Sequence, residues 1–233
     1  MSAAQPSVAK IEFIPIFGDK ADRKGRVLFV IAGVSHKSTQ GTTSVVQKNS
    51  ETLEQTFTAA YAVFLPLEYV QCQKEACEKR DTLPDGDANK FRFEEFMNQK
   101  IAHNIHQHIE ENNFTNVHLL GKCNGAWVAL ELFLLGKGVY KNLYSAVPGI
   151  PPNGILEKLK AEEYKGSKIL FGFVAQDAFP FLWGKSNQEL SRYKRELQGI
   201  SVSFQTYNIA GAEPHEKDHH ELPAAMIQDI IDM

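Results

Sequence analysis

The chain has little cysteine, no long apolar run and no surplus of charge of either sign, and each shortage excludes a class of protein. Cysteine occurs only at Cys72, Cys77 and Cys123. So few, and odd in number, they cannot build a disulfide framework, and a reducing, cytoplasmic setting is expected. No stretch approaches the roughly 20 apolar residues that span a bilayer. Met1–Lys10 also lacks the basic-then-apolar pattern of a secretory leader. Lys and Arg number 25 against 28 Asp and Glu, a net charge of −3. That leaves no basic footprint for nucleic acid or an anionic membrane, so neither is expected as a partner. What is present is a normal globular composition, 43% hydrophobic and 23% charged over 233 residues. With no repeat, low-complexity tract or linker, a single domain over residues 1–233 is expected.

Apolar segments alternate in type along the chain. Val8–Phe17 and Arg26–Ala32 flank a polar turn and read as a β-pair. The second is almost wholly apolar, as expected of a strand covered on both faces. Gly33–Thr43 reads as a loop, Ser50–Ala60 as a helix, Tyr61–Leu65 as a buried strand and Gln71–Asn89 as a polar surface excursion. Phe93, Met97, Ile101, Ile105 and Ile109 recur every four residues, a helical stripe facing a sheet. Strands are expected at Val117–Leu120, Leu143–Val147, Lys168–Ala175 and Ser201–Ile209, with helices at Ala126–Leu135 and Leu222–Ile231. This alternation predicts an α/β architecture, a mostly parallel central sheet with helices on both faces. The interval between Leu143 and Lys168 is too short for a separate cap domain.

The informative segment is VHLLGKCNGAWVAL, Val117–Leu130. A strand runs through Gly121-Lys122-Cys123-Asn124-Gly125 directly into a helix. So sharp a turn strains its central residue and crowds the positions two away, where only small residues fit. It exposes the central side chain at a helix N-terminus, where aligned amide dipoles favour a thiolate.

This segment resembles the nucleophile elbow of the α/β-hydrolase superfamily, G-x-S-x-G, with cysteine in the serine position as in dienelactone hydrolase. Three further segments resemble the same template in chain order. VLFVIAGV, Val27–Val34, is similar to the strand and oxyanion loop, with Ala32-Gly33 where the family usually has His-Gly. FGFVAQDAFP, Phe171–Pro180, is similar to the turn that carries the acid, which makes Asp177 the candidate. IAGAEPHEKDHHELP, Ile209–Pro223, is similar to the histidine loop before the last helix. His215 stands eight residues before Pro223, the usual spacing, although Pro214 replaces the usual glycine; His219 and His220 remain alternatives.

The resemblance implies an α/β-hydrolase fold and a Cys123-His215-Asp177 triad acting on a small ester, lactone or thioester. The oxyanion hole would be the backbone amides of Val34 and Asn124, with no cofactor and no metal. A thiolate leaves as readily as it attacks, so its adduct with an amide tends to collapse back while ester adducts go forward.

Other readings compete. Cys123 is also the kind of small residue found in cores, and Asp177 the kind that caps a helix. His215–His220 is dense in ligand-type side chains but lacks a zinc-site spacing. His103, His106 and His108 read as the solvated face of their helix, and Cys72 and Cys77 as loop residues without a second metal-binding pair. Phe179, Phe181, Leu182 and Trp183 would line a substrate pocket or pack onto the sheet. The departures at Ala32, Cys123 and Pro214 leave open a non-catalytic protein of this fold that binds a ligand or partner. Oligomeric state is not legible.

Overall fold

The computed structural model describes residues 11–18, 24–33, 36–84, 92–136, 138–148, 158–159, 167–174, 201–208 and 222–233. Its centre is a seven-stranded sheet in the order β1-β3-β2-β4-β5-β6-β7. The strands are β1 Glu12–Gly18, β2 Val27–Ile31, β3 Ala59–Phe64, β4 Val117–Lys122, β5 Tyr140–Ala146, β6 Lys168–Val174 and β7 Ser201–Tyr207. Only β1 is antiparallel; β2 to β7 run the same way. Their carboxyl ends therefore share one edge, where parallel sheets build their sites.

Six helices are described: α1 His36–Lys48, α2 Ser50–Leu53, α3 Leu67–Thr82, α4 Arg92–Glu111, α5 Asn124–Leu135 and α6 Ala224–Asp232. Residue parity sorts them. Phe29, Ile31, Leu119 and Phe171 point to the face covered by α3, α4 and α5, where Ile101, Ile105, Ile109 and Trp127 are buried. Leu28, Val30, Leu120 and Leu170 point to the other, with Val46 of α1, Leu53 of α2 and Met226, Ile227 and Ile230 of α6. Burying each such aliphatic side chain contributes about 1.5–3 kcal/mol, enough to fix which face each helix takes. No helix among the described residues is long and apolar enough to cross a membrane.

Several expectations are corrected. β1 does not pair with β2: it lies antiparallel to β3, with Pro15 opposite Tyr61, while β2 is buried between β3 and β4. The short polar turn suggested a hairpin, but a strand apolar on both sides needs two strand neighbours and two covering layers. Much of the expected loop Gly33–Thr43 is the first half of α1. Its buried residues are Thr39, Thr42 and Val46, a helical spacing hidden by hydroxyl side chains. The expected helix Ser50–Ala60 is helical only to Leu53, since Ala59 and Ala60 pair with Val27 and Leu28.

The polar excursion Gln71–Asn89 is helical through Thr82, which places Cys72 and Cys77 on α3 rather than in a loop. Its inner face is Tyr69, Gln73 and Ala76, and the Gln73 carboxamide donates to Asn98 Oδ1 of α4 at 3.1 Å. A buried amide pair reads as polar surface in sequence. The histidines of α4 are likewise less solvated than expected. Only His103 is exposed; His106 Nδ1 lies 2.8 Å from the Tyr140 hydroxyl, and His108 stacks on Phe13 at 3.7 Å.

Candidate active site

β4 occupies the middle of the sheet and passes without a loop into α5. Between them stands Cys123, half-buried, with φ 57° and ψ −129°. Positive φ is uncommon for any residue with a Cβ and persists only where surrounding contacts impose it. Here the Cys123 N–H donates to the Ala146 carbonyl of β5 at 3.1 Å, the last rung of the β4–β5 ladder. Its own carbonyl accepts the Ala126 N–H at 3.0 Å, the first turn of α5. The residue is thus gripped by the sheet on one side and the helix on the other.

The glycines explain themselves by the atoms around them. A Cβ at Gly121 would stand 2.5 Å from the Ala126 Cα and 2.6 Å from the Gly125 carbonyl oxygen. At Gly125 it would meet the carbonyl oxygens of Ile31 and Ala32 at 2.2 and 2.5 Å. Those contacts also show that the head of α5 lies against the end of β2. Asn124, the first residue of α5, is buried, and neither atom of its carboxamide has a hydrogen-bond partner among the described residues. The leading amides of a helix carry the positive end of its dipole, about half an elementary charge. Negative charge developing beside the head of α5 is favoured there.

Of the sequence-derived candidates, Cys123, Asn124, Gly121 and Gly125 are brought together in this turn. Val34, Asp177, His215, His219 and His220 lie outside the described residues, as do Phe179, Phe181, Leu182 and Trp183. Beyond β2 the chain is described through Ala32 and Gly33, both buried, one residue short of Val34. Among the described residues no group of three or more His, Cys, Asp and Glu side chains could hold a metal ion.

One feature of the site leaves no mark in the sequence. Val147, placed there within a strand, follows β5 with φ 37°, so two adjacent strands both end in a left-handed residue at the carboxyl edge. Valine favours extended backbone, so no sequence signal marks it.

No protein-family model matches the chain, and no curated protein matches its sequence. Solved structures do. The chain is similar to a carboxylesterase from the thaumarchaeon Nitrososphaera gargenis at 10% identity and a TM-score of 0.61, over 99% of this chain and 96% of that one. It is similar to a predicted CIB-like hydrolase from Thermoplasma acidophilum at 12% identity and a TM-score of 0.56, over 96% of each. It is also similar to dienelactone hydrolase from Anabaena variabilis at 14% identity and a TM-score of 0.54, over 96% and 95%. The fold is that of the α/β hydrolases.

Proposed function

We propose that the protein is a hydrolase of small carboxylic esters, lactones or thioesters, with Cys123 as nucleophile. The observation that carries this reading is the strained, glycine-flanked turn that puts Cys123 between the central strand and the head of α5. A core cysteine has no use for such a backbone. The esterases and the dienelactone hydrolase that share the fold support the same substrate class.

Asp177 and a histidine, His215 or alternatively His219 or His220, are proposed to complete the triad. β6 and β7 are parallel to β4, so the chain leaves both strands at the edge where Cys123 stands. Asp177 follows β6 by three residues, and the three histidines lie between β7 and α6.

In this mechanism the imidazole holds the thiol proton and the Cys123 sulfur attacks the carbonyl carbon. The C–S bond forms as the carbonyl π pair moves to oxygen, where the Asn124 and Val34 amides stabilise the charge. Such donors contribute about 3–4 kcal/mol each. The pair returns, the bond to the leaving group breaks, and the imidazolium gives that group its proton. Water, deprotonated by the same imidazole, then attacks the thioester, releasing the acid and restoring the thiol. Asp177 fixes the tautomer and stabilises the imidazolium.

The first test is hydrolysis of p-nitrophenyl acetate by wild type and Cys123→Ala. The variant should lose at least about a thousandfold in kcat, as expected when a covalent nucleophile is removed. Wild-type turnover in the variant sinks the assignment, and an inert wild type across a panel of acyl chain lengths favours the non-catalytic, ligand-binding reading.

A further inference from the structure

The strain at Cys123 is matched on the neighbouring strand, and one peptide plane joins the two. Val147 is buried, β-branched and left-handed at φ 37°. β-Branched residues avoid this region, and strain of this kind costs on the order of 1–3 kcal/mol. The peptide unit between Ala146 and Val147 holds the bonds at issue. Its carbonyl accepts the Cys123 N–H at 3.1 Å, and its N–H donates to the Gly172 carbonyl of β6 at 2.7 Å. Because a peptide unit is planar, its carbonyl and N–H cannot turn independently. A single rigid plate therefore bridges β4 and β6 at the carboxyl edge, with the nucleophile on one side.

Gly172 is itself fixed from outside. A Cβ there would meet Met226 Sδ at 2.6 Å and Tyr207 Cε2 at 3.0 Å, so α6 and β7 press directly on this strand. Beyond the plate the chain turns at Val147 into Pro148, whose ring further restricts Val147. A line of contacts thus runs from α6 through Gly172 and the Ala146–Val147 plate to the Cys123 amide.

We propose that Val147 is a positioning residue: its buried side chain, held by its neighbours in a left-handed turn, limits rotation of the Ala146–Val147 peptide plane that holds Cys123 in its elbow. This deepens the hydrolase reading and rests on it for its catalytic consequence, but not for its effect on the thiol. A glycine at 147 adopts the same φ freely and also many others, so the plate gains freedom to rotate and the Cys123 backbone loses its fixed partner.

The experiment compares wild type, Val147→Gly and Val147→Ile in two assays. In the first, iodoacetamide alkylation of Cys123 is followed by peptide mass spectrometry from pH 5 to 9, with Cys72 in the same molecule as internal reference. In the second, kcat and KM are measured on p-nitrophenyl acetate. Val147→Gly should slow Cys123 relative to Cys72 by at least about fivefold near pH 7 and lower kcat about tenfold with KM little changed. Loss of alignment by one ångström has effects of this order or larger. Val147→Ile restores a β-branched side chain and should bring both readouts back to within about twofold of wild type.

A Cys123-to-Cys72 ratio in the glycine variant within twofold of wild type at every pH overturns the proposal. So does an equal loss in the isoleucine variant. If Val147→Gly does not fold, Val147→Ala takes its place with the same criteria. Should Cys123→Ala retain full esterase activity, the hydrolase reading fails while the alkylation ratio still decides the role of Val147.

Discussion

At the scale of single residues, the elbow is a problem of volume as much as of chemistry. Gly125 lies so close to the Ile31 and Ala32 carbonyls that a methyl group has no space, and the obstructing atoms are backbone rather than flexible side chain. Gly125→Ala is expected to destabilise the protein by about 3 kcal/mol, in the range of severe overpacking. Gly41 makes the opposite case. It lies inside α1 with nothing within 4 Å of an added Cβ. There alanine should stabilise by about 0.5–1 kcal/mol through helix propensity alone. Urea midpoints of the two variants check the pair; shifts of the same sign would show that the contacts around Gly125 do not govern its identity.

At the scale of elements, α4 and α5 are tied together by charge as well as by apolar packing. Lys158 reaches Glu95 of α4 at 2.9 Å and Glu131 of α5 at 3.0 Å. Burial draws the Lys158 pKa down, but the two carboxylates outweigh it, so the ammonium titrates above its ordinary range. Glu131 is 8% exposed and Lys158 37%, so water weakens the pair on the lysine side only. Lys158→Met should cost about 1–2 kcal/mol, less than a wholly buried pair, because it removes the ammonium bonded to the buried Glu131 carboxylate. The double variant Lys158→Met, Glu131→Gln should recover most of that loss. A double variant no more stable than Lys158→Met would show that Glu131 is not the source. At the far end of the sheet the Tyr207 hydroxyl donates to Asp229, joining β7 to α6.

At the scale of the whole molecule, one buried imidazole couples folding to pH. His118 lies inside β4, 3% exposed, between the rings of Phe57 and Tyr144, and neither ring nitrogen has a hydrogen-bond partner among the described residues. Burial, then the charges of Arg26 and Lys141, push its pKa down to about 4. In the unfolded chain the ordinary value, about 6.5, applies. Between these two values the unfolded state binds a proton that the fold excludes. The contribution is therefore fully present above pH 6.5 and is lost as pH falls, by about 1.4 kcal/mol per unit and about 3 kcal/mol in all by pH 4. Chemical denaturation between pH 7 and pH 4 should show a flatter slope for His118→Phe than for wild type. Identical slopes would place the acid lability elsewhere.

How much of this was legible in advance divides by the kind of information involved. The strands β2, β4 and β6, the stripe on α4 and the elbow glycines follow from local pattern, since each is imposed by periodicity or by a turn that admits no Cβ. α1 and α3 escape local pattern because their inner faces are built from Thr39, Thr42 and Gln73, whose burial is permitted by partners distant in sequence. The pairing of β1 with β3 rather than β2 is likewise a choice among edges that local pattern does not rank.

By itself, then, the chain determined an alternating α/β order and a sharp turn at Cys123, because backbone sterics act over a few residues. Only the tertiary structure decided that the Ala146–Val147 peptide holds the Cys123 amide and that Val147 bears the strain. That plate bonds to residues 23 and 25 positions away along the chain, and no residue carries in its own identity which partners its peptide meets across the sheet.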